Sequence, residues 1–254
     1  MGEDESVAAA WHQIGMVHQA TGNGAAAETA YCRSLALKVQ LGNIAGQAST
    51  LNELGNLYAN VLDRPEDAVT HYRQATERFV ASQDVVGEGK AHSNLSNTLR
   101  CLGHYAEARR EIERALECMK GLGHEVQPWK SWAILADIER DEGRVDAARH
   151  AHAQACTAYL AYRRDGGENH DPDARLAAEI GRQLAAGDAV GAAALLRELA
   201  GKPNPPDLRP PFVGVLQAII AGQRAPVLAD APGLSYSSAA EILLLLDGLR
   251  AAGR

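Results

Sequence analysis

Aromatic side chains are scarce in this chain: its 254 residues include two Phe, three Trp and seven Tyr. A core with so few rings has to be closed by Ala and Leu, which suits closely packed helices better than strands. Cysteine is sparse as well. Cys32, Cys101, Cys118 and Cys156 form no CxxC pair and no metal-knuckle spacing, so reduced, buried or half-buried thiols are expected. Basic charge is also short, with 25 Lys and Arg against 32 Asp and Glu, a net charge of -7. That balance argues against general affinity for nucleic acid or an anionic membrane, both of which need a basic face. Long apolar runs are missing. The densest, Ile242 to Leu246, is far below the roughly 18 residues of a membrane span. The opening MGEDESVAAA is acidic and lacks the basic and apolar regions of a signal peptide. A cytoplasmic location follows as the expectation. Met1-Gly2 followed by Ser6 fits a myristoylation pattern superficially, but Glu3, Asp4 and Glu5 argue against it.

Catalytic signatures are missing too. The sequence has no HExxH, no GxSxG, and no GxGxxG after a strand. Gly87-Glu88-Gly89-Lys90 has a superficial likeness to a phosphate loop. Asp84 stands where the first glycine belongs, and Ala91 where the metal-binding hydroxyl belongs. His150 and His152 point about 200° apart on a helix and cannot share a metal from one face. Carboxylate pairs such as Glu111/Glu113 and Asp141/Glu142 lie on polar helix faces. The expectation is a chain that is not an enzyme, with no cofactor and no metal.

What the sequence does contain is a repeat. Leu51 to Phe79 reads as two short helices folded back to back. Leu51, Leu54, Gly55, Tyr58 and Leu62 form one apolar stripe, and Ala68, Tyr72, Ala75 and Phe79 another. Asp63-Arg64-Pro65 separates them, since proline is tolerated in a first helical turn and not in an interior. The first helices align on Ile14-Gly15, Leu54-Gly55, Leu95-Ser96 and Leu135-Ala136, at offsets of 40, 41 and 40. The second helices align on Ala27, Ala68, Ala108 and Ala148, at offsets of 41, 40 and 40. Four residues after each alanine come Tyr31, Tyr72, Ile112 and His152.

This pattern resembles the tetratricopeptide repeat, carried by Trp11, Ile14, Gly15, Ala27 and Tyr31, then Leu51, Leu54, Gly55, Tyr58, Ala68 and Tyr72. The third unit contributes Leu95, Ala108, Ala115 and Leu116, and the weaker fourth Trp132, Leu135, Ala136 and Ala148. The usual repeat is about 34 residues, so a period near 40 resembles the longer class found in kinesin light chains and cell-polarity adaptors. The resemblance implies an all-α, right-handed solenoid of helix-turn-helix repeats. The expected division is a tail at 1–6, repeats at 7–44, 45–86, 87–126 and 127–167, a linker at 168–175 and a C-terminal helical module at 176–254. Within that module, Lys202-Pro203-Asn204-Pro205-Pro206 reads as an extended connector. A capping box from Ser238 to Glu241 is expected to open the last helix.

In such a solenoid the first helix of each repeat lines a concave face. The candidates there are His12, Met16 and Gln19; Asn52, Asn56 and Asn60; Ser93, Asn94, Asn97 and Arg100; and Asp137 and Arg140. Lys90 and Lys130 open the third and fourth first helices. Asparagine amides one turn apart offer both donor and acceptor to a peptide main chain. Lys90, Arg100, Lys130 and Arg140 make a basic strip suited to an acidic partner or a free C-terminal carboxylate. In clamp-type members of the family, two asparagines and three basic residues hold a terminal carboxylate. Asn56, Asn94 and Lys130 match that arrangement, whereas Asn52 and Ile134 stand where basic residues are expected. The resulting expectation is a non-enzymatic adaptor binding a protein or peptide segment, with no nucleic acid and no membrane involved. The rivals are a sensor or regulatory subunit of a larger bacterial system, partnered with a nucleotide-switch or protease-like component, and a self-associating structural protein.

Overall fold

The computed structural model describes residues 2–168, 172–200 and 210–253. The expected proline connector at 202–206, and residues 169–171 of the expected linker, lie outside them. Among the described residues there are twelve α-helices, two short 3-10 turns and no strand. The helices are α1 (Gly2–Ala20), α2 (Gly24–Gln40), α3 (Ile44–Asn60), α4 (Pro65–Ala81), α5 (Val85–Cys101) and α6 (Tyr105–Met119). They continue as α7 (Pro128–Asp141), α8 (Val145–Arg164), α9 (Pro172–Ala185), α10 (Ala189–Ala200), α11 (Pro210–Ile220) and α12 (Tyr236–Ala251). The chain forms two compact units, Met1–Ala148 and Arg149–Arg254.

In the first unit the helices pack as consecutive pairs, α1 with α2, α3 with α4 and α5 with α6. Each second helix also packs on the first helix of the next pair, the layout of a helix-pair solenoid. The pairs close because one side of each crossing is small. A Cβ on Gly15 would lie 2.6 Å from the ring of Tyr31, and one on Gly55 2.5 Å from the ring of Tyr72. In the third pair Ser96 occupies the glycine's place, opposite Ile112, and donates to the Ala108 carbonyl at 2.7 Å. Ala27, Ala68 and Ala108 are completely buried at these crossings.

The helix ends are set locally. Asn23, Asn43 and Asp84 cap α2, α3 and α5, their side-chain oxygens accepting from the amides of Ala26, Gly46 and Gly87. Asp84 is therefore a helix cap, and Gly87 is small because a Cβ there would run into the Phe79 ring. The likeness to a phosphate loop has no structural counterpart. Helix α1 begins at Gly2, so residues 2–6 of the expected tail are helical. Glu3, Asp4 and Glu5 lie in its first turn, where carboxylates complement the helix dipole.

The second unit is closed by a separate core from α9 to α12, with Ile180, Ala192, Phe212, Leu216, Ile219 and Ile242 at its centre. The last helix begins earlier than expected. Its cap is Ser235, which accepts from the Ser238 amide at 3.1 Å. Ser238 is buried and donates to Asp173 at 2.5 Å, and Glu241 pairs with Arg163 at 2.7 Å. Three serines in a row of four offer the helix start several equivalent positions in sequence. All four cysteines are free, and Cys32 and Cys101 are exposed rather than buried.

Candidate functional site

The eleven candidate binding residues all lie in the first unit, on α1, α3, α5 and α7. The structure brings Asn52, Asn56 and Asn94 together across α3 and α5. Asn94 Nδ2 donates to Asn52 Oδ1 and to Asn56 Oδ1, both at 3.3 Å. The Asn56 oxygen also accepts from the Tyr72 hydroxyl at 2.7 Å, and its nitrogen donates to Glu53 at 3.1 Å. Asn56 is thus largely committed to the packing of its own repeat. Among the described residues, Asn52 Nδ2 and Asn94 Oδ1 are the atoms of these three amides with no hydrogen bond, left to meet another chain.

The basic strip is divided. Arg100 Nη1 donates to Asp141 at 2.6 Å and its Nε to Asn97 at 3.3 Å. Arg140 donates to Asp137 at 2.5 Å, one turn back on α7. Those two arginines are neutralised in place. Lys90 and Lys130 are exposed, and among the described residues neither has an ion pair. Met16 is 44% exposed, an apolar contact of the size a bound segment would cover.

At the N-terminal end, His12 Nδ1 lies 3.2 Å from Thr50 Oγ1. Thr50 gives its own hydrogen to the Gly46 carbonyl at 3.0 Å, so His12 is the donor and carries its proton on Nδ1. Lys38 Nζ donates to the same threonine oxygen at 2.7 Å. Burial, with the Lys38 charge adding to it, lowers the His12 pKa from 6.5 to about 4. Burial also lowers that of Lys38. Sequence reasoning missed Lys38 and Thr50 because both fall on helix faces that are apolar elsewhere.

Away from these helices, a cavity of about 600 Å³ opens between α4, α5 and α6. His92 stands in its wall and contacts Glu111 at 2.6 Å. Burial works to raise the Glu111 pKa, but the hydrogen bond and charge of His92, with Arg114 and Arg73, outweigh it and hold the carboxyl below its usual value. Among the described residues no group of three or more His, Cys, Asp or Glu could hold a metal ion. None of their helices is long and apolar enough to cross a membrane.

No curated protein matches the chain. Its fold is similar to the crystal structure of BtubC (BKLC) from P. vanneervenii, with a TM-score of 0.58 and 20% identity over 86% of this chain and 84% of that one. The tetratricopeptide-repeat model matches residues 6–81 and again, one unit on, residues 46–121. With helix pairs in that order and a glycine under a tyrosine at two successive crossings, residues 6–121 belong to the tetratricopeptide-repeat family.

Proposed function

We propose that this chain is a non-enzymatic adaptor that holds an extended segment of another protein against the first helices of its repeats. The observation that carries this is the amide cluster of Asn52, Asn56 and Asn94. It spans two repeats and keeps an unused donor on Asn52 and an unused acceptor on Asn94. A peptide main chain offers the same alternation of donor and acceptor, whatever its side chains. Met16 supplies apolar contact at one end, and Lys90 and Lys130 charge at the other. With Arg100 and Arg140 already paired, the preference for an acidic segment or a terminal carboxylate falls on the two lysines. Under this proposal residues 7–167 act as four repeats, 176–254 as an accessory helical module, and the protein works in the cytoplasm.

The test is selection of binders from a displayed random-peptide library, followed by fluorescence anisotropy on wild type and on a variant carrying Asn52→Ala and Asn94→Ala. A loss of tenfold or more, with helicity unchanged, supports the groove. Equal affinity in both proteins overturns it.

A further inference from the structure

The repeat period shows that one joint differs in kind from the others. Lys38, Phe79 and Met119 each lie eleven residues after the buried alanine of their repeat, at the end of the second helix. Each reaches the next first helix at the same place: Lys38 at Thr50, Phe79 in one apolar cluster with Ala91, and Met119 at Ser131. At the second joint the contact is apolar. At the third it is a thioether accepting from a hydroxyl at 3.4 Å. At the first joint it is an ammonium group.

Lys38 is 8% exposed and Thr50 is fully buried. A lysine is rarely buried to this degree without a carboxylate beside it, because desolvation of the ammonium is otherwise uncompensated. Among the described residues no carboxylate is paired with Lys38, and burial lowers its pKa. Its ammonium has three hydrogens and, among the described residues, one acceptor, the Thr50 oxygen. His12, itself a potential cation, shares that same oxygen. Two hydrogen-bond donors therefore converge on one hydroxyl, with no anion among the described residues to balance the ammonium. His12 is the most exposed of the three. It occupies the position that Asn52 holds in the second repeat, two residues before the leucine or isoleucine of the stripe.

We infer that His12, Lys38 and Thr50 form a carboxylate-binding subsite at the joint of the first two repeats. An incoming carboxylate would accept from the Lys38 ammonium and from a protonated His12, entering on the His12 side. Both interactions are charge-assisted and strengthened by the low polarity of the joint. The proposal relies on the adaptor reading only for the source of the carboxylate. It does not rely on the asparagine cluster.

Two capped probes test it, each with a single carboxylate. Acetyl-triglycine carries it at the chain terminus, and acetyl-Gly-Asp-Gly-amide on a side chain. Acetyl-triglycine amide is the control. Titrations are followed by NMR at the His12 ring and the Lys38 ε-methylene, in wild type and in Lys38→Met, which places at this joint the residue type of Met119. The expected result is a saturable shift at both residues with at least one carboxylate probe and an upward move of the His12 pKa. The amide control and Lys38→Met should show neither. The probe that binds more tightly identifies the source. If neither probe shifts Lys38, or if Lys38→Met responds at His12 as wild type does, the subsite is wrong. The Asn52/Asn94 comparison stands or falls separately.

Discussion

The ring of Tyr72 lies over Gly55 so closely that a Cβ on the glycine would meet it at 2.5 Å, while the tyrosine hydroxyl donates to Asn56 at 2.7 Å. One side chain thus sets the spacing of α3 and α4 and fixes the amide of a candidate binding residue. Gly55→Ala should push the ring away and lose both effects, destabilising the protein by about 1–3 kcal/mol as overpacking does. Gly214 in α11 is different: a Cβ added there would have no heavy atom within 4 Å. Gly214→Ala should therefore stabilise by up to about 1 kcal/mol through helix propensity. Urea unfolding of the two variants should move in opposite directions.

Gln83 ends α4 with φ of 58°, where the equivalent turn after α2 uses Gly42 at 65°. A side chain in the left-handed region costs roughly 1–2 kcal/mol, part of which the greater freedom of glycine in the unfolded chain offsets. Gln83→Gly should therefore raise the melting temperature slightly, by an amount equivalent to about 0.5–1 kcal/mol. A fall in melting temperature would mean that the side chain contributes more than its strain costs.

The His12 pKa is about 4 in the folded protein against 6.5 for an unperturbed imidazole. Between those values the unfolded chain binds the proton and the folded chain does not, so the stability is complete above pH 6.5 and is lost as pH falls toward 4. His12→Gln should retain more of its pH 7 melting temperature than wild type does at a pH of about 4.5, inside that window. Equal pH dependence in the two proteins would show that His12 titrates normally.

Glu139 is buried and accepts from Arg109 at 2.8 Å and Arg144 at 2.5 Å, tying α6 to the turn after α7. Removing it leaves the two arginines with Glu142, half as much carboxylate as before, since Glu142 also pairs with both. Glu139→Ala should cost more than the simultaneous change of Arg109, Glu139, Glu142 and Arg144 to neutral residues, which removes the whole network. Arg144 is 42% exposed, so solvent screening keeps the single-variant cost nearer about 1–2 kcal/mol than the larger values of fully buried pairs. A double-mutant cycle by chemical denaturation gives the coupling directly.

The repeats were legible because their signals are local and recur in phase. Gly15 and Gly55, Ala27, Ala68 and Ala108, and the turns at Gly22, Gly42 and Gly103 need no knowledge of distant residues. The amide cluster was legible residue by residue but not as a network, since Asn94 meets Asn52 and Asn56 across 42 and 38 residues of chain. The basic strip misled for the same reason. Arg140 and Asp137 are one turn apart and could have been paired on the sequence, whereas Arg100 and Asp141 become neighbours only when α5 and α7 are placed together. Lys38 is hidden differently. The period carries it to the place of Phe79 and Met119, but the recurring alanines that mark the repeat stop eleven residues short of it.

The capping pattern has a mechanical consequence. Asn23, Asn43 and Asp84 each complete their helix start with a bond made three residues away, within the same unit. These helices do not borrow their starts from a neighbouring pair. Under tension applied along the chain, rupture at one boundary leaves the next pair with its own terminus intact. Extension should then proceed as a staircase, each tread releasing one period of 40 or 41 residues, or about 130–150 Å of contour.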